Sequence, residues 1–104
     1  MQLEYLDQQG RSPFGIWRTS LDAIARTKVT VALTRLASGN ASNVKSVGQG
    51  VSELKIDFGP GYRAYFGRDG EAIVILLAGG TKKRQQRDIE DAQARWADYK
   101  RRKG

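Results

Sequence analysis

The sequence predicts one α+β domain: a small antiparallel-rich sheet packed against an N-terminal helical hairpin, with a further helix at the C-terminal end. Three observations predict it. Apolar residues recur three and four apart from Phe14 to Leu36. They then alternate, or run continuously, in short segments between Val51 and Ala78. The helical spacing returns from Ile89 to Tyr99. At 104 residues, positions 1–104 are expected to form a single folding unit with a modest core.

The elements follow in order. Leu3 to Leu6 is a short first strand, and Gln8-Gln9-Gly10-Arg11 a turn. Ser12 before Pro13 is a helix start, since the hydroxyl caps and proline suits the first helical position. Phe14, Trp17 and Leu21 share one helical face. A second stretch from Leu21 to Leu36 continues the apolar spacing with Ile24 or Ala25, Val29, Ala32, Leu33 and Leu36, with a break near Thr19-Ser20 and an end at Ser38-Gly39-Asn40. Val44 and Val47 mark a short strand. Val51 to Phe58 alternates, with Leu54, Ile56 and Phe58 on one face and Glu53, Lys55 and Asp57 on the other. Gly59-Pro60-Gly61 is a turn, Tyr62 to Gly67 a strand, and Arg68-Asp69-Gly70-Glu71 a second turn. Ala72 to Ala78 is apolar on both faces and belongs in the sheet interior, with Gly79-Gly80 ending it. A basic run, Lys82 to Arg87, precedes a helix from Asp88 to Tyr99, and Lys100 to Gly104 is expected to fray.

Charge and residue usage narrow the function. The 18 Lys and Arg against 11 Asp and Glu leave a net +7, and the pI is about 10.1. So large a surplus on a short chain attracts phosphate backbones. There are no cysteines and no histidines. Disulfides, thiolate metal sites and histidine-based triads are therefore excluded, and no metal or cofactor is expected. The opening residues Met1 to Tyr5 lack the pattern of a signal peptide, and no apolar run approaches a membrane span. A cytoplasmic location without membrane association is expected. Gly79-Gly80-Thr81-Lys82-Lys83 lacks the spacing of a nucleotide-triphosphate loop.

If Gly59-Pro60-Gly61 is a three-residue loop, Lys55 faces Tyr65 and Asp57 faces Arg63, while Leu54 faces Phe66 and Ile56 faces Ala64. One face of the hairpin is then apolar and covered by helices. The other displays Lys55, Arg63 and Tyr65 together, where an aromatic ring is placed to stack on a base and two cations to meet phosphate. Lys82, Lys83, Arg84 and Arg87 form a second basic group at a helix start. Cations are unfavourable there unless an outside anion meets them.

The stretch Glu53-Leu54-Lys55-Ile56-Asp57-Phe58-Gly59-Pro60-Gly61-Tyr62-Arg63-Ala64-Tyr65-Phe66 resembles the central hairpin of RelE/HigB-type toxins of bacterial toxin–antitoxin modules. Ile73 to Gly80, Lys82, Arg87-Asp88-Ile89 and Ala92 continue the likeness, as do Pro13-Phe14, Trp17, Arg35-Leu36 and Gly39-Asn40. The resemblance implies a ribosome-dependent mRNA endonuclease, with mRNA on the ribosome as substrate and a cognate helix-turn-helix antitoxin as partner. Carried over by position, it implies an active face of Lys55, Arg63, Tyr65, Lys82 and Arg87.

The implied reaction is attack of a ribose 2′-hydroxyl on the adjacent phosphate. It needs a base, charge stabilisation and an acid. Lys55 is expected as base with Glu53 as the fallback, Arg63 as phosphate stabiliser, Lys82 as acid and Arg87 as clamp. Tyr65 would position the nucleotide, and Lys45, Lys83 and Arg84 would extend RNA binding. The competing reading is a gyrase-blocking toxin of the ParE branch without nuclease activity, since one fold carries several functions.

Overall fold

The computed structural model describes residues 1–104. Its elements are β1 (Gln2–Glu4), α1 (Pro13–Ser20), α2 (Ala23–Ala37), β2 (Val44–Ser46), β3 (Val51–Ile56), β4 (Tyr62–Asp69), β5 (Ile73–Thr81), a 3₁₀ turn (Lys82–Arg84) and α3 (Gln85–Lys103). The five strands form one mixed sheet in the order β1-β5-β4-β3-β2. Only β1 and β5 are parallel; the other three pairings are antiparallel.

Local chemistry starts and stops the helices. The Ser12 hydroxyl accepts the Gly15 N–H at 2.9 Å, and Pro13 fills the first helical position. The hairpin breaks slightly later than the sequence suggests. Leu21 is extended, and the Asp22 carboxylate caps α2 by accepting the Ala25 N–H at 2.9 Å. The N–H groups of Gly39 and Asn40 close the end of α2 on the carbonyls of Leu36 and Arg35.

Both faces of the sheet are covered. On one, α1 and α2 enclose Phe14, Val29, Leu33, Leu54, Phe66 and Leu76. On the other, α3 lays Ala92 and Trp96 over Val51, Tyr65, Ile75 and Leu77. Strand β5 is buried on both sides, as its unbroken apolar run predicts. Its ladder with β4 is irregular: Tyr65 pairs with Ala78 but Phe66 with Leu76, so Leu77 is the extra residue of a bulge, and both Leu77 and Ala78 lie on the α3 side.

Four sequence-based expectations are corrected. First, the β3–β4 register is shifted: Lys55 faces Arg63, Leu54 faces Ala64 and Glu53 faces Tyr65. The connection takes five residues, Asp57 to Gly61, with Gly59 and Gly61 at φ 56° and 81° and the Gly61 N–H bonded to the Phe58 carbonyl. Because each partner moves by two positions, every side chain keeps its predicted face. Second, Gly79 and Gly80 do not end β5, which runs on to Thr81. They are glycines because other side chains lie on them. A Cβ would stand 2.0 Å from a Trp17 ring carbon at Gly79 and 2.0 Å from Asp88 Oδ2 at Gly80. Third, β4 extends to Asp69, two residues past the expected end. Fourth, the C-terminal residues do not fray. α3 is helical to Lys103, with Arg102 donating to the Leu6 carbonyl at 2.9 Å and to the Tyr5 hydroxyl at 3.0 Å, and Lys103 paired with Asp69.

Candidate active site

A row of three facing residues crosses the sheet where β3 ends, β4 begins and β5 ends: Lys55, Arg63 and Gly80. Directly opposed residues share a face, so Lys55 and Arg63 lie on the same side of the sheet. They differ in access: Lys55 is exposed, whereas Arg63 is 7 % exposed.

Arg63 is held in place from two sides. Its Nη1 donates to the Gly61 carbonyl at 3.0 Å. Its Nε lies 3.7 Å from Oε1 of Glu53, a buried ion pair. The Nη2 edge makes no hydrogen bond within the chain, so one side of the guanidinium fork is left for an outside acceptor. The expected Asp57–Arg63 pair does not form, because Asp57 falls in the five-residue loop and Glu53 takes its place.

Glu53 is the centre of this arrangement. It is 2 % exposed, and its Oε2 accepts from Gln85 Nε2 at 2.8 Å. Its Oε1 faces both Arg63 and, at 3.8 Å, Lys45 of the edge strand β2. A buried carboxylate is tolerated when it is paired and hydrogen-bonded in this way. With both oxygens engaged, Glu53 positions Arg63 rather than standing free as a base. Period-two spacing puts Glu53 on the face of Lys55, but its partners depend on the shifted register and on α3.

Tyr65 departs from the sequence-based reading. It faces Glu53 in the ladder, lies beneath α3 and is 0 % exposed. It therefore cannot serve as a stacking platform for a base. Its hydroxyl is buried without a well-formed hydrogen bond. Burial first, and then the neighbouring Glu53 carboxylate, pushes its pKa up and keeps the phenol protonated.

The second basic group follows β5 at the same end of the sheet, since Thr81 pairs with Tyr62. Lys82, Lys83, Arg84 and Arg87 are all exposed. None of the four makes an ion pair within the chain. Among them Asp88 leans over Gly80. Burial raises its pKa, with Arg84 the largest opposing influence. Sequence reasoning missed Asp88 and Gln85; only the strand-final glycine hints that something occupies the space above it. No group of three or more side chains suited to hold a metal ion comes together anywhere in the chain.

A model of the phage-derived Gp49-like protein family matches residues 17–98, which include the whole of this constellation. The chain belongs to the Gp49-like family. An uncharacterised protein of Haemophilus influenzae is 41 % identical to it over 81 residues, covering 77 % of this chain and 82 % of the other. The Gp49-like family is one of toxin–antitoxin toxins with a RelE-like fold, in keeping with the helical hairpin, sheet and C-terminal helix described above. Membership implies an antitoxin partner. No helix of this Gp49-like chain is long and apolar enough to cross a membrane.

Proposed function

We propose that this Gp49-like toxin is a ribosome-dependent mRNA endonuclease of the RelE/HigB kind, needing neither metal nor cofactor. One observation carries the reading: exposed Lys55 stands directly across from an Arg63 whose guanidinium is fixed by Gly61 and Glu53. Pre-positioned donors stabilise developing charge without reorganising during the reaction.

Lys55 takes the proton from a ribose 2′-hydroxyl. The 2′-oxygen forms a bond to the adjacent phosphorus while the bond from phosphorus to the 5′-oxygen breaks. A 2′,3′-cyclic phosphate and a 5′-hydroxyl result, with Lys82 returning a proton to the leaving oxygen. Arg63 cannot act as a base, because its guanidinium keeps its proton, and it stabilises the pentavalent phosphorus instead. Arg87 clamps the strand, with Lys83 and Arg84 holding neighbouring phosphates. Lys45 adds positive charge at the β2 edge while pairing with Glu53. The site of action is the cytoplasm, where the ribosomes are. The antitoxin is a helix-turn-helix protein with an acidic surface that covers the basic face.

Lys55 is the cleaner probe, since replacing buried Arg63 would leave Glu53 without its main counter-charge. Lys55→Met should lower cleavage of ribosome-bound mRNA about 10²–10³-fold while thermal unfolding is unchanged. Full cleavage by this variant removes Lys55 from the mechanism. Intact mRNA together with trapped gyrase–DNA complexes in cells making the wild type overturns the nuclease reading in favour of a gyrase-blocking one.

A further inference from the structure

Glu53 stands within a row that crosses the sheet, with Lys45 of β2 facing it on one side and Tyr65 of β4 on the other. Its neighbours crowd it without bonding it. Arg63 Nε is 3.7 Å from its Oε1 and Lys45 Nζ is 3.8 Å away, both beyond hydrogen-bond reach. Arg63 Nε and the Tyr65 hydroxyl are buried with no hydrogen-bond partner. The one side-chain hydrogen bond that Glu53 makes comes from Gln85 Nε2, at 2.8 Å.

Gln85 is thus the donor that decides where this carboxylate stands. Attraction alone would draw Glu53 onto Arg63, whose Nε–H is free to donate and would form a shorter, charge-assisted bond. The amide of Gln85 holds Oε2 toward α3 and keeps that gap open. The Arg63 side chain has only one hydrogen bond of its own, from Nη1 to the Gly61 carbonyl, so a turn of the carboxylate would carry the guanidinium with it.

Gln85 is itself firmly seated. It is the first residue of α3, directly after the Lys82–Arg84 turn, and it is half-buried. Asp88, three residues on, lies against Gly80, the residue of β5 that faces Arg63. The start of α3 therefore touches the sheet on both flanks of Arg63, at Glu53 of β3 and at Gly80 of β5.

We propose that Gln85 is a positioning residue: by holding Glu53 it sets the aim of the Arg63 guanidinium, and so ties the phosphate-stabilising arginine to the helix start that carries the second basic group. This role rests on the RNA-cutting reading above. A donor stabilises developing charge best when it is aimed beforehand, and a misplacement of about 1 Å can cost about 10²-fold in rate. Because Gln85 acts through Glu53, its loss should slow the chemical step and spare binding.

The test uses the whole protein. Gln85→Met keeps the side-chain length and the helix preference but removes the amide. Gln85→Asn keeps an amide, one carbon too short to reach Glu53, and serves as the second variant should the first fold poorly. On ribosome-bound mRNA both should lower kcat by about 10²-fold with KM little changed. Nuclear magnetic resonance supplies a readout that needs no RNA. In both variants the Arg63 Nε–H signal should move downfield as Glu53 turns to accept from it, while backbone signals far from Glu53 stay in place.

An Arg63 signal that stays put in both variants overturns the assignment. So does a kcat equal to that of the wild type, or a rise in KM alone. A moved signal in a protein whose wild type leaves mRNA intact keeps the link from Gln85 to Arg63 and refutes the cutting assignment instead.

Discussion

Asp88 of α3 lies over the backbone of Gly80 in β5, so closely that a Cβ there would meet its Oδ2 at 2.0 Å. This contact seats the start of α3 on the strand that faces Arg63. Gly80→Ala would force the helix start or the carboxylate aside. Overpacking of this kind costs about 1–3 kcal/mol. Chemical denaturation of Gly80→Ala against the wild type measures it, and an unchanged midpoint would show that α3 shifts freely.

The same carboxylate makes stability depend on pH. Burial raises the pKa of Asp88 in the folded state above its unfolded value. The stability carried by its protonated form is therefore complete below the unfolded pKa and lost as pH rises through the folded one. Asp88→Asn carries no such titration. Its melting temperature should gain on the wild type as pH rises from the unfolded carboxylate pKa, about 3.9, through the higher folded one. A constant difference across that interval would contradict the assignment.

Glu53 and Arg63 should be coupled strongly. Both are buried; without Glu53, Arg63 has no carboxylate partner, and without Arg63, Glu53 keeps only the exposed Lys45. Glu53→Ala should destabilise by about 3–5 kcal/mol. The double replacement with Arg63→Met should destabilise by clearly less than the two single changes added together. Urea unfolding of the four proteins gives the coupling, and strict additivity would mean that the pair is not a unit.

The far end of α3 is held by carboxylates of the opposite tendency. Asp98 meets Arg102 and the Tyr5 hydroxyl, the latter at 2.7 Å. Asp69 meets Lys103 and, at 2.6 Å, the Tyr99 hydroxyl. In each case the hydrogen bond from the cationic neighbour is the main influence, and the folded pKa is lowered. The stability they carry is present above the unfolded pKa and lost as pH falls through the folded one. Asp98→Asn and Asp69→Asn should therefore melt below the wild type near pH 7 and converge with it as the carboxyls protonate in acid. Equal melting at neutral pH would show these contacts to be idle.

Much of the architecture was legible in the residue pattern. Ser12-Pro13 marked α1, the spacing of Val29, Leu33 and Leu36 marked the buried side of α2, and the apolar run ending at Ala78 marked β5 as interior. The misreadings share a cause. Gly79 and Gly80 look like a strand end to any local rule, yet they are strand residues beneath Trp17 and Asp88. Tyr65 looks displayed beside Lys55 and Arg63, yet α3 buries it. Lys100 to Lys103 look like a loose tail, yet Arg102 and Lys103 reach Tyr5, Leu6 and Asp69, far away in the chain.

By itself, the sequence determined which side chains share a face, because alternation along a strand and recurrence along a helix are properties of the local backbone. It thus put Lys55 and Arg63 on one side of a hairpin even with the register mistaken. Tertiary structure alone decided which of those side chains meets solvent and which partner each one has. Access and pairing depend on what packs above the sheet, and the covering helix α3 lies more than twenty residues away along the chain from Arg63.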